Sequence, residues 1–183
     1  MVAFNNILMA IDSNALLPNQ VFKGLWNCFL FCESDNLVSP RFVETIAELI
    51  RLEGATTCCL LNYSETRDFE FQRAATLFIE IGTTSTDYIS LLEKGGPATG
   101  WLYAMGQYGC SSDKGEWCIY SERANDVAVI ALRHANSIAK FASPLESLYA
   151  KPIEVLIDLA PSVPVPFNDL TDKWKRGLVE HYN

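Results

Sequence analysis

A nucleophile or a soft-metal site in this chain would have to be built from six cysteines and two histidines. The cysteines are Cys28, Cys32, Cys58, Cys59, Cys110 and Cys118; the histidines are His134 and His181. A thiolate attack needs an imidazole within reach to take the proton. Cys110 or Cys118 with His134 is the combination the order of residues offers, since all three lie near one hairpin-like stretch. The competing reading is that cysteines in apolar segments, as Cys28, Cys58 and Cys59 are, behave as small hydrophobes. The second reading is preferred, with all six thiols reduced and no disulfide. A zinc site fares less well. Cys28-x3-Cys32 has usable spacing, but no second pair completes four ligands, and Cys58 and Cys59, adjacent on a strand, would face opposite ways. Gly95-Gly-Pro-Ala-Thr-Gly100 has the glycine spacing of a phosphate loop, yet Trp101-Leu102 stands where Lys and Ser/Thr would hold phosphate and metal. No cofactor and no metal are expected, and the reading leans away from an enzyme. A small cysteine-dependent enzyme remains the alternative, and a subunit of a larger assembly is a third reading.

Carboxylates are the plentiful resource. The 183 residues carry 22 Asp and Glu against 14 Lys and Arg, a formal net charge of −8. Nucleic-acid affinity rests on cationic contacts to phosphate, and an anionic membrane surface attracts the same cations, so neither is an expected partner. A basic protein is. The acidity concentrates early: residues 33–93 hold eleven acidic and four basic residues, a net of −7, whereas 101–183 hold ten and eight, a net of −2. Glu44 and Glu48, one helical turn apart, and Asp68 with Glu70 are the candidate contacts for such a partner. Trp101 joins them from the glycine-rich stretch 95–115, which holds six of the ten glycines and reads as an irregular interaction loop.

The elements that must position these residues follow from periodicity. The N-terminal stretch lacks a cationic region and is interrupted by Asn5, Asn6 and Asp12, so no signal peptide or membrane span is expected and a cytoplasmic location follows. Leu16, Leu17, Val21, Leu25, Phe29 and Cys32 suggest a helix over 14–32. Ser39 as cap, Pro40 in the first turn and Gly54 after the end bracket a second helix, whose apolar face is Phe42, Val43, Ile46, Leu49 and Ile50. Thr56–Tyr63 reads as a buried strand. Residues 66–80 are ambiguous between helix and a strand ending at Gly82. Thr84 or Ser85 caps a short helix through Leu92, closed by Gly95-Gly96. Glu116–Glu122 and Val127–Leu132 form a hairpin turning at Asn125-Asp126. Ile138, Phe141, Ala142, Leu145, Leu148 and Tyr149 share a helical face, restarted at Ser143-Pro144, and Pro152 opens another helix. A Pro-rich connector over 161–167 leads to a C-terminal helix capped by Asn168 or Asp169. The class expected is α+β: one globular domain, 1–183, with central antiparallel strands and flanking helices.

The stretch Gly115-Glu-Trp-Cys-Ile-Tyr-Ser-Glu-Arg-Ala-Asn-Asp-Val-Ala-Val-Ile-Ala-Leu132 resembles the tryptophan-led hairpins of small bacterial proteins found beside secreted toxins. With its size and acidity, the chain resembles toxin-immunity proteins. The resemblance implies a cytoplasmic, non-enzymatic inhibitor that binds a cognate toxin domain, often a basic nuclease, and blocks it. It carries over no functional residue.

Overall fold

The computed structural model describes residues 1–63, 76–94, 106–158 and 167–183. Six strands form one antiparallel sheet: β1 (Cys28–Glu33), β2 (Thr57–Asn62), β3 (Thr76–Glu80), β4 (Gln107–Ser112), β5 (Trp117–Glu122) and β6 (Val127–Leu132), in the order β1-β6-β5-β4-β2-β3. Seven helices are described: α1 (Val2–Ala10), α2 (Phe42–Glu53), α3 (Ser85–Lys94), α4 (Ser137–Lys140), α5 (Ala142–Ser147), α6 (Ile153–Ile157) and α7 (Asp172–Tyr182). The expected α+β class holds.

Alternation along the strands assigns each face. Trp117, Ile119, Ala128, Ile130, Leu132, Cys58, Leu60 and Cys110 point to one side, where α2, α3 and α5 cover them. Cys118, Tyr120, Val127, Val129, Ala131, Cys59 and Leu61 point to the other, under α1, α6 and α7. Both hairpin strands are therefore buried on both faces, which is why their sequences are nearly continuous apolar runs. The hairpin pairs Glu122 with Val127 and turns through Asp126 at φ +54°, the left-handed conformation Asp tolerates. At one sheet edge, β1 is continued by Lys151, which exchanges backbone hydrogen bonds of 2.7 and 3.0 Å with Phe31.

Several expectations are corrected. Residues 14–32 are not a helix. Asp12 accepts from the Asn14 N–H, Gln20 accepts from the Phe22 N–H, and Gly24 sits at φ +80°, so local side-chain bonds and turns replace the helical ladder. The segment then runs into β1. Of the residues at that spacing, Leu17 and Val21 are buried separately, Leu25 is 89% exposed, and Phe29 and Cys32 lie in β1. Part of the stretch expected to be irregular is β4. Gly109 lies there because α1 crosses directly over it: a Cβ would come within 2.7 Å of Ile7 and Ile11 side-chain carbons. The α2 helix begins two residues later than expected, with Arg41 as its cap, and Ser39 Oγ accepts from the Arg41 N–H instead. The C-terminal helix is capped by Thr171, whose hydroxyl accepts from the Trp174 N–H, not by Asn168 or Asp169.

The other boundaries agree. Gly54 ends α2 in the left-handed conformation. Thr84 and Asp87 cap α3 reciprocally, at 3.1 Å from the Asp87 N–H to the Thr84 hydroxyl and 3.3 Å from the Thr84 N–H to the Asp87 carboxylate. The ambiguous segment resolves as strand over its last five residues, Thr76–Glu80. Residues 66–75, Gly95-Gly96 and the prolines at 161, 164 and 166 lie outside the described residues.

Candidate functional site

The α2 helix buries Phe42, Val43, Ile46, Leu49 and Ile50 against the sheet, which turns Glu44 and Glu48 outward as the spacing requires. Glu44 is exposed. Glu48 is half-buried: it accepts from the Ser143 hydroxyl of α5 at 3.2 Å and lies 3.7 Å from the Arg51 guanidinium. So the two carboxylates share one helix face by their spacing, and Glu48 is the one that reaches α5 across the seam. Asp68, Glu70 and Trp101 lie outside the described residues.

A shallow cleft of about 270 Å³ opens at one end of that seam. Asn36 and Ser39 line it from the turn before α2, Arg41 and Thr45 from the start of α2, and Ser147 and Tyr149 from the end of α5. The Asn36 amide donates to the Leu148 carbonyl at 3.2 Å and ties the turn to α5. The α5 helix ends in a Schellman pair, Ala150 N–H to Leu145 C=O and Tyr149 N–H to Glu146 C=O, both 2.9 Å. That motif needs a left-handed residue at position 149, where glycine is usual. Here it is a tyrosine at φ +54°, 77% exposed. A bulky L-residue in that conformation costs roughly 1–2 kcal/mol, and the ring recovers little of it by burial. The expected helical face over 138–149 is corrected: Ile138, Ala142 and Tyr149 are exposed, while Phe141, Leu145 and Leu148 carry the packing.

The cysteine–histidine combination does not assemble. Cys110 and Cys118 are fully buried on opposite faces of the sheet, and His134 is exposed beyond β6. Burial pushes both thiols well above their ordinary range, and it pushes Cys32 up to about 12. All six cysteines are free thiols; the Cys110 thiol donates a hydrogen bond to Cys58 Sγ at 3.9 Å, with no disulfide between them. Thiol labelling should therefore count six groups in unfolded, non-reduced protein, but in the native protein only Cys28, half-buried, should react on a short timescale. Fast native labelling of Cys110 or Cys118 would contradict this burial. Among the described residues no group of three or more His, Cys, Asp and Glu is arranged to hold a metal ion, and no helix is long and apolar enough to cross a membrane.

Two buried carboxylates escaped the sequence reading. Glu122 is 5% exposed and accepts three hydrogen bonds: from the Leu17 N–H at 2.7 Å, the Tyr120 hydroxyl at 2.9 Å and the Asn125 amide at 3.1 Å. Glu53 is 8% exposed and accepts from the Glu116 N–H at 2.7 Å. A signal for Glu53 was present, since Ile46, Leu49, Ile50 and Glu53 share the apolar period of α2. Glu33 also rises above the ordinary carboxylate range, chiefly from burial and then from Asp35 and Asp126 beside it. Comparison of the chain with models of known protein families, with curated proteins and with solved structures finds no match in any of the three.

Proposed function

We propose that this chain is a non-enzymatic binding protein of immunity type, which neutralises a cognate basic toxin domain, and that the α2–α5 seam is its contact surface. The observation that carries the reading is Tyr149. An aromatic ring held outward at an energetic cost is what a binding anchor requires, and strained conformations persist where function demands them. The half-buried Glu48 at the seam and the exposed Glu44 on the same helix suit a cationic partner, while Arg41 lines the cleft itself. The overall charge of −8 would steer that partner in.

The test begins with a partner captured from the native cell and identified. Tyr149→Gly should then separate stability from binding. Glycine relieves the left-handed strain, so unfolding free energy should rise by about 1 kcal/mol. Loss of the anchor should weaken the complex by roughly tenfold or more. A variant that is more stable and binds equally well would overturn the assignment of this surface. Reversing Glu44 and Glu48 to Lys in a still-folded protein should slow association and reduce its dependence on salt. Unchanged affinity and unchanged salt dependence would remove the acidic half of the proposal.

A further inference from the structure

We infer that Glu53 is a proton-sensitive latch between the end of α2 and the start of β5, which holds the junction as the neutral acid and works against it as the carboxylate. Three independent features of its position disfavour the anion. The side chain is buried, and its Oε2 has no hydrogen-bond partner. It is the last residue of α2, where the free carbonyls already present partial negative charge. Its Oε1 takes the N–H of Glu116, which places a second carboxylate beside it. Lys140 Nζ, 2.6 Å from Glu116 Oε2, offsets much of that second charge, so it is the weakest of the three features and burial is the strongest.

The other charged groups around the junction are also occupied or turned away. On α2, Arg51 faces Glu48. After β6, Arg133 Nε donates to the Gly115 carbonyl at 2.8 Å, and His134 is exposed. In the β4–β5 turn, Asp113 accepts from the Thr56 N–H and hydroxyl, and Lys114 is exposed. Burial therefore dominates and raises the Glu53 carboxyl. The Ser112 hydroxyl, the Glu116 N–H and the Trp117 indole offset part of that rise, and the charge of Glu116 adds to it.

The sign follows from linkage. As pH climbs past the ordinary glutamate range, the unfolded chain loses its proton first while the folded chain retains it. Stability from this group then falls with rising pH until Glu53 ionises in the fold as well. Glu33 acts in the same direction, so the comparison must isolate Glu53. Glu53→Gln does so: it keeps an acceptor for the Glu116 N–H and cannot ionise. Melting both proteins from about pH 4 to about pH 8 at fixed ionic strength should show the Gln variant gaining on the wild type with rising pH, then a constant difference. In the wild type, NMR titration should place the Glu53 carboxyl above the ordinary glutamate range, with the Glu116 amide shift following it. A Tm difference independent of pH, or a Glu53 carboxyl titrating in the ordinary range, would overturn the latch.

Discussion

Trp117→Ala is expected to destabilise the fold by about 3–5 kcal/mol, the cost of emptying a large aromatic site in a packed core. Trp117 has no exposed surface and stands at the start of β5, facing the layer of α2, α3 and α5 together with Ile119. It pairs across the sheet with Leu132, and its carbonyl accepts from the Ser111 hydroxyl at 2.7 Å, so its backbone cannot shift to fill the gap. A loss of that size is a large share of the roughly 5–15 kcal/mol that a single domain has in total. Urea unfolding should therefore show the midpoint moving far to lower denaturant with little change of slope. Trp117→Phe should cost much less. It keeps most of the apolar bulk and deletes an indole N–H that lies near the Glu53 carboxyl without forming a full hydrogen bond. A loss under about 1 kcal/mol for the alanine variant would mean that the site collapses freely, contrary to the packing described.

The parts of the fold legible in the sequence were those where one local signal had no rival. The α2 helix had an apolar stripe and a terminal glycine; β5 and β6 had strand formers on both sides of an Asn-Asp turn. Where two signals competed, the tertiary context decided. Residues 107–112 contain Gly109, and glycine weakens a strand unless a neighbour needs the space. Only the crossing of α1, with Ile7 and Ile11 against that glycine, reveals that it does. The α1 helix has neither a capping side chain nor a terminal glycine to announce it, and Asn5 and Asn6 break its apolar run. On a helix they leave Ala3, Phe4, Ile7 and Ala10 on one buried face. Residues 14–32 show the opposite failure: apolar spacing of three to four suggests a period, but Leu17 and Val21 are buried separately and Leu16 and Leu25 are exposed.

The candidate site was half legible. Charge and spacing place Glu44 and Glu48 on one helix face, and the cleft at the start of α2 could not be seen without the seam between α2 and α5. Tyr149 looked like the last apolar member of a helical face. Nothing in the residue type marks it as the left-handed end of α5, because that place normally announces itself with glycine. Buried charge was the least legible feature. Glu122 ends a strand and reads as a solvated residue, yet the N-terminal segment folds over it.

That burial makes Glu122→Ala the second large expected effect. The Leu17 N–H and the Tyr120 hydroxyl both donate to Oε1 in a buried setting, at 2.7 and 2.9 Å, and Asn125 donates to Oε2. Each buried donor left without an acceptor costs about 1–3 kcal/mol, so the alanine variant should lose roughly 2–5 kcal/mol with the cavity included. The damage should also be local in a specific place. Leu17 belongs to the segment that packs on α7, where the Tyr182 hydroxyl accepts from the Val21 N–H at 3.0 Å and donates to the Asn19 carbonyl at 2.7 Å. Losing the Glu122 anchor should free 12–27 and α7 together, seen as faster amide exchange at Leu17 and Val21, while Cys58–Leu61 on β2 stays protected. Glu122→Gln is the decisive companion. Its amide oxygen can still accept from Leu17 and Tyr120, but its NH2 would face the Asn125 amide, donor against donor. It should therefore lose less than the alanine variant and leave the Leu17 amide slow to exchange. If glutamine and alanine were equally destabilising, the negative charge itself, rather than the acceptor geometry, would be what the N-terminal segment folds around.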